Sequence, residues 1–278
     1  MFAMLVFISA SPAYAQAQDN KKVQYMVYDV YASGFHVLQA NLMVDSAAKD
    51  RYALTMEAST FGFLGKLAPW KGFYQSYGWL ENNKIMPERH QSVTTWKGEE
   101  EVYTYNYAKS GKFKSYVIKE HNKEERTEEV AEELTYQTTD SLTATLRILR
   151  DIAAGKTCDG ESDVFDGKRR FAQVFRDQGE AQLEASKYNI FGGTARECTV
   201  EVIPKGGKWH DKPRGWLSIQ EQGRDRGMMP TVWIANVSEN APAVPVKVRV
   251  KTAYGTLFMH LAEYRYGDQV IVSGKRGG

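Results

Sequence analysis

Val244, Val246, Val248 and Val250 alternate residue by residue with Pro245, Lys247, Arg249 and Lys251. A period of two with one apolar side and one largely basic side is the mark of an extended strand lying on a core, its other face in water. The same pattern recurs upstream. Leu54, Met56 and Ala58 alternate with Thr55, Glu57 and Ser59, and Leu38, Ala40, Leu42 and Val44 alternate with Val37, Gln39, Asn41 and Met43. Ser33-Gly34, Asn82-Asn83, Lys97-Gly98, Ser110-Gly111 and Asp166-Gly167 punctuate these runs with residues that accept turn geometry. Strands at such spacing predict a mainly β fold, a large curved antiparallel sheet or open barrel. Its N-terminal meander spans 21–120.

Seven acids between Glu120 and Glu133 interrupt the strands and read as a solvated loop or an exposed helical turn. Beyond this acidic connector (120–139), Asp140 caps a predicted helix over 140–155, with Leu142, Leu146, Leu149 and Ala153 on one face and Gly155 as its stop. It is the one convincing helix in the sequence, and it must lay its apolar face on the sheet. Strands are expected again at 168–176, 181–190, 194–204 and 256–266, with loops at 205–215 and 223–229. No repeat or Pro/Ser-rich linker divides the chain, so residues 16–278 are expected to form a single all-β domain.

The first 15 residues carry an apolar run, a helix-breaking Pro12 and Ala13-Tyr14-Ala15. These are parts of a secretory signal peptide cleaved after Ala15, although a basic leading segment is missing. A buried first strand or a membrane anchor is the alternative. Residue 16 is Gln rather than Cys, so lipidation at that site is not expected, and the product is placed in the periplasm of a Gram-negative cell. In an oxidising compartment Cys158 and Cys198 are expected to pair as a disulfide, two buried free thiols being the other reading.

Chemistry is harder to find. The chain holds 36 Lys and Arg against 34 Asp and Glu, a near-balance that argues against nucleic acid as partner. His36, His90, His121, His210 and His260 are isolated, without the spacing that a metal needs. No Gly-x-Ser-x-Gly elbow or phosphate-cradling glycine loop occurs, and Asp159–Asp163 lacks the Gly and Glu of a calcium loop. No catalytic residue, metal or cofactor is therefore assigned, and the protein is read as a non-enzyme.

Phe61-Gly62-Phe63-Leu64-Gly65-Lys66-Leu67-Ala68-Pro69-Trp70, followed by Phe73 and Tyr77, is the most conspicuous stretch. Its glycines and proline deny it regular strand structure, leaving a loop or short helix whose large hydrophobes need a destination. Either it folds over an open barrel end and completes the core, or it forms the mouth of an apolar cavity, with Phe61, Phe63, Leu64, Trp70, Phe73 and Tyr77 as ligand-binding residues. Tyr103, Tyr105 and Tyr107 share a strand face, as a solvent-side stripe or a ligand wall.

Asp140-Ser141-Leu142, Val164-Phe165-Asp166-Gly167-Lys168-Arg169-Arg170-Phe171, Gly192-Gly193-Thr194-Ala195 with Cys198, and Val244-Pro245-Val246 before Gly255 follow one another in an order that resembles an exported bacterial cell-envelope family of unknown function, DUF3108. These residues span 140–255; the N-terminal meander is similar to the family in style. The resemblance implies an envelope protein with no established catalytic residues, and an architecture similar to periplasmic half-barrels that carry lipoproteins or lipids. The expected function is the binding of a lipid or other amphiphile in an apolar groove. The alternative is an envelope-integrity scaffold, binding protein partners through sheet edges or through the basic loops of Lys205, Lys208, Lys212, Arg214, Arg224 and Arg226.

Overall fold

The computed structural model describes residues 23–81, 84–212, 215–239, 241–252 and 255–274. The expected signal peptide, the Asn82-Asn83 turn and Arg214 lie outside the described residues. Eight strands come first: β1 (Val23–Ala32), β2 (Phe35–Asp45), β3 (Arg51–Thr60), β4 (Trp70–Glu81), β5 (Lys84–Trp96), β6 (Glu99–Tyr107), β7 (Phe113–Lys119) and β8 (Arg126–Glu128). Seven follow: β9 (Gly160–Phe165), β10 (Arg169–Leu183), β11 (Gly193–Gly207), β12 (Thr231–Asn236), β13 (Ala243–Thr252), β14 (Gly255–Tyr266) and β15 (Gln269–Val272). The helices are α1 (Gly62–Leu67), α2 (Glu132–Thr135), α3 (Ser141–Ala153) and α4 (Trp216–Asp225).

All fifteen strands belong to one sheet, ordered β8-β7-β6-β5-β4-β3-β2-β1-β14-β13-β12-β11-β10-β9, with β15 on β14. Every neighbouring pair on this path is antiparallel. The sequence turns are where the backbone needs them: Ser33 and Gly34 have φ of 48° and 87°, and Lys97 and Gly98 have 51° and 91°. Consecutive left-handed residues give the twist that matches a hairpin's strands.

α3 fills one face of the sheet. The Asp140 carboxylate accepts a hydrogen bond from the Thr143 N–H, and Gly155 at φ 76° ends the helix. The expected face is partly corrected: Leu146 and Leu149 are buried with Thr143, Ala144 and Ile148, whereas Ala153 is exposed and Leu142 half-buried. The helix reaches several strands at once, so its buried arc is wider than one leucine stripe. Leu146 joins the cluster of Met26, Tyr28, Leu54 and Val244, while Ile148 and Leu149 pack with Phe175, Val232, Ile234 and the Cys158–Cys198 disulfide. That disulfide closes a 40-residue separation across a Cα–Cα distance of 6.3 Å.

Two further expectations need correction. α3 is not the sole substantial helix, because α4 runs ten residues and takes in Gly223–Asp225, read from sequence as loop. Its buried positions are Gln220 and Gly223, and Gln220 clamps the Val202 backbone through both amide atoms, so no apolar period betrays it. Residues 184–190 are not strand: β10 stops at Leu183, and the connection turns on Ser186 and Asn189, whose side chains accept from nearby N–H groups.

The two ends of the sheet meet at a seam. Thr139 pairs in parallel with Val164 of β9, its N–H donating to the Asp163 carbonyl at 2.8 Å. Phe165 of β9 packs edge-on against Tyr105, Phe113 and Tyr116 at ring-centre distances of 5.6–6.1 Å. The tyrosine ladder thus serves the core: Tyr105 and Tyr107 are buried, and burial pushes the Tyr116 hydroxyl up to about 12. Gly167, at φ 94°, is required here, since a Cβ would stand 2.3 Å from the Tyr116 hydroxyl.

Candidate functional site

The stretch after β3 forms α1, held by its backbone and not by its side chains. The Thr60 hydroxyl donates to the Ala68 carbonyl and accepts from the Trp70 N–H, both at 3.0 Å, while the Phe61 N–H donates to the Val37 carbonyl. Gly65 sits so close to the Thr60 carbonyl that a Cβ would approach it to 2.9 Å. None of the six helical residues is buried. Phe63 is 75% exposed and Leu67 63%, with Phe61 and Leu64 also in solvent, so the segment does not complete the core. Phe35, at the β1–β2 hairpin, is 74% exposed as well.

An aromatic run leads from α1 along the sheet. Phe61 stacks on His36 at 4.0 Å, His36 on Tyr31 at 5.0 Å, and Tyr31 meets Tyr188 edge-on at 5.0 Å. It ends in an open pocket of about 290 Å³ lined by Tyr31, Gly34, Tyr188, Thr256, Phe258 and His260. Phe258 and His260 alternate on β14 and therefore point to one side, a local signal that sequence inspection can find. The His260 Nδ1 is buried with no hydrogen-bond partner among the described residues. Desolvation and neighbouring Lys247 hold its pKa below the usual histidine value, with Asp29 opposing.

The six residues expected to bind ligand do not converge. Phe61, Phe63 and Leu64 stand together at α1. Trp70 lies on the α3 side of β4 with Ser76, two faces being separated by strand alternation. Phe73 and Tyr77 are on the other side: Phe73 lines an open cavity of about 430 Å³ with Lys71, Glu57 and Gln39, and Tyr77 lines one of about 360 Å³ with Arg51 and Ala53. A continuous loop would have gathered all six; β4 begins at Trp70 and divides them.

Beneath α3 lies a polar cluster that the isolated histidines did not foretell. Asp140 accepts from the Ser76 hydroxyl at 2.6 Å, the Thr143 hydroxyl at 2.6 Å and the Thr143 N–H at 2.9 Å. His90 Nδ1 lies 2.8 Å from the Ser76 Oγ and 3.5 Å from the Asp140 Oδ1, and the Tyr52 hydroxyl bonds to that of Thr143 at 2.7 Å. Since Ser76 donates to Asp140, the remaining geometry has His90 Nδ1–H donating to Ser76. A nucleophilic relay needs the carboxylate on the far nitrogen of the histidine and an accessible hydroxyl. Here the carboxylate faces the serine, Ser76 has no exposed surface, and the cluster fixes the start of α3 to the sheet.

Two of the basic loop residues are engaged and three stand in solvent. Lys205 pairs with Glu161 at 3.0 Å and Arg224 pairs with Glu201, while Lys208, Lys212 and Arg226 are exposed. Cys158, Asp177 and Cys198 bring ligand-type atoms together, but both sulfurs are committed to the disulfide.

A single antiparallel sheet curled until its ends meet, with a helix against one face and an apolar rim, defines a β-barrel-like protein. The chain belongs to the family described as protein of unknown function (DUF3108), whose model matches residues 24–262 and so takes in the N-terminal meander. The fold is similar to the crystal structure of a beta-barrel-like protein of domain of unknown function DUF1849 from Brucella abortus, with a TM-score of 0.50 and 10% identity over 90% of this chain and 99% of that one. Identity so low speaks for the fold alone. No curated protein matches the sequence. Among the described residues no helix is long and apolar enough to cross a membrane.

Proposed function

We propose that the protein is a non-enzymatic periplasmic component of the bacterial cell envelope, exported without lipidation, which binds a lipid or other amphiphile at its apolar rim. The observation that carries this reading is α1: a helix with no buried residue that presents Phe63, Leu64 and Leu67 beside Phe61, whose ring starts the aromatic run toward the His260 pocket. Exposed apolar groups grouped in this way mark an interaction site. Acyl chains would lie along α1 and the pocket, and the buried His260 Nδ1 would take a polar headgroup atom. The scaffold reading draws less support, because Lys205 and Arg224 are paired with acids and Thr139 occupies the edge of β9.

Native mass spectrometry with lipid extraction, on protein purified from a periplasm, tests the proposal. A co-purifying amphiphile near one per chain is expected, lost in Phe63→Asp while melting temperature and circular dichroism are unchanged. A bare chain mass, with no extractable lipid, overturns it.

A further inference from the structure

An open cavity of about 780 Å³ runs along the seam, between the start of β5, the β6–β7 turn, residues 137–139 and β9. It shares no lining residue with the rim pocket, and its chemistry is different. Both of its carboxylates pair with cations that are not part of its lining, Glu161 with Lys205 at 3.0 Å and Asp163 Oδ2 with Arg170 at 2.5 Å, while the buried Asp163 Oδ1 has no hydrogen-bond partner among the described residues and is an acceptor for a ligand hydroxyl. Its two cations, Lys84 and Arg147, have no carboxylate within 4.0 Å among the described residues. Arg147 donates one bond, from Nη1 to the Ser162 hydroxyl at 3.1 Å, leaving most of its planar fork of N–H groups for another acceptor. The Thr139 hydroxyl, also in the lining, is buried without a partner.

An unpaired guanidinium in a half-enclosed cleft is matched by a carboxylate or phosphate, which it grips through two parallel bonds. The rest of the lining narrows the class. Ser110, Thr139 and Ser162 offer hydroxyls that both donate and accept, as sugar hydroxyls do. An adjoining cavity of about 250 Å³ shares Ser110, Gly111 and Gln137 and adds Phe113 and Tyr136, the latter 57% exposed. Such a ring is a platform for the C–H face of a pyranose. We infer that the seam cavity binds an acidic saccharide, its oxyanion on Arg147 and Lys84 and a neighbouring sugar ring on Tyr136. This site is independent of the amphiphile reading.

Isothermal titration of the full exported chain with an oligogalacturonide, a neutral glucose oligosaccharide of equal length, and inorganic phosphate tests the inference. Saturable one-to-one binding of the oligogalacturonide is expected, at least about tenfold tighter than the neutral sugar. Arg147→Met and Tyr136→Ala should each weaken it by about tenfold, and Phe63→Asp should leave it unchanged. Lys84→Met, at an exposed position, gives a second reading of the charge should Arg147→Met not fold. No saturable binding, equal affinity for the neutral sugar, or binding untouched in both charge variants would overturn the inference. Phosphate binding as tightly as the oligogalacturonide, with Tyr136→Ala silent, would overturn its saccharide part.

Discussion

α1 and α3 are both short helices set against the same sheet, and they are held by opposite means. α3 has thirteen residues, a carboxylate cap, a glycine stop and a buried arc of Thr143, Ala144, Leu146, Ile148 and Leu149. α1 has six residues, no side-chain cap and no buried residue, and depends on Thr60 and main-chain bonds at its flanks. An isolated helix so short is not stable by itself, so α1 persists because the strands on either side set its ends. What differs is where the hydrophobes point: those of α3 hold the fold together, and those of α1 are left for something else.

Three perturbations sharpen that contrast, in falling order of effect. Asp140→Ala removes the α3 cap and strands the hydroxyls of Ser76 and Thr143 in the interior, and urea unfolding should record a loss of about 2–4 kcal/mol. A smaller, pH-dependent effect belongs to His90, whose pKa is lowered by burial, with Asp140 and a hydrogen bond to the Gln75 backbone opposing, and whose ring also meets the Ser76 hydroxyl and the Tyr105 ring. Below the ordinary histidine pKa of about 6.5 the unfolded chain takes up a proton that the folded chain resists, so stability is flat above that pH and declines beneath it. Thermal melts from pH 8 down to pH 5 should show this decline, reduced in His90→Gln but not abolished, since His260 is depressed too. Least of all, Phe63→Asp should change unfolding stability by under about 0.5 kcal/mol, as fits a side chain already in water. A large loss there would mean that α1 serves the core after all.

Much of the sheet could be read from local chemistry. Ser33-Gly34, Lys97-Gly98 and Asp166-Gly167 mark their turns because left-handed backbone is encoded in the residues themselves. Asp140 and Gly155 bound α3 for similar local reasons. The polar cluster was not legible, because Ser76 and Asp140 are 64 residues apart and only the fold joins them. The tyrosine ladder showed a shared face, but the phenylalanine that buries it arrives from β9, at the opposite end of the sheet. The aromatic stretch is irregular at its start, as its glycines and proline dictate, whereas the period of two in β4 carries Phe73 and Tyr77 to the other face.

The place of β1 carries a consequence for how the chain is made. It is the first strand of the described residues, yet it lies mid-sheet between β2 and β14, and Gln24 bonds to Tyr264 across 240 residues. During synthesis in the N-to-C direction, β1 can pair with β2 at once. Its other edge must wait, its N–H and C=O groups open, until nearly the whole chain has emerged. Closure of so distant a pair is slow, and an unsatisfied edge held that long invites pairing with other chains. The newly made polypeptide is therefore most vulnerable to aggregation just before β14 appears, and a chain truncated ahead of β14 would never pass that point.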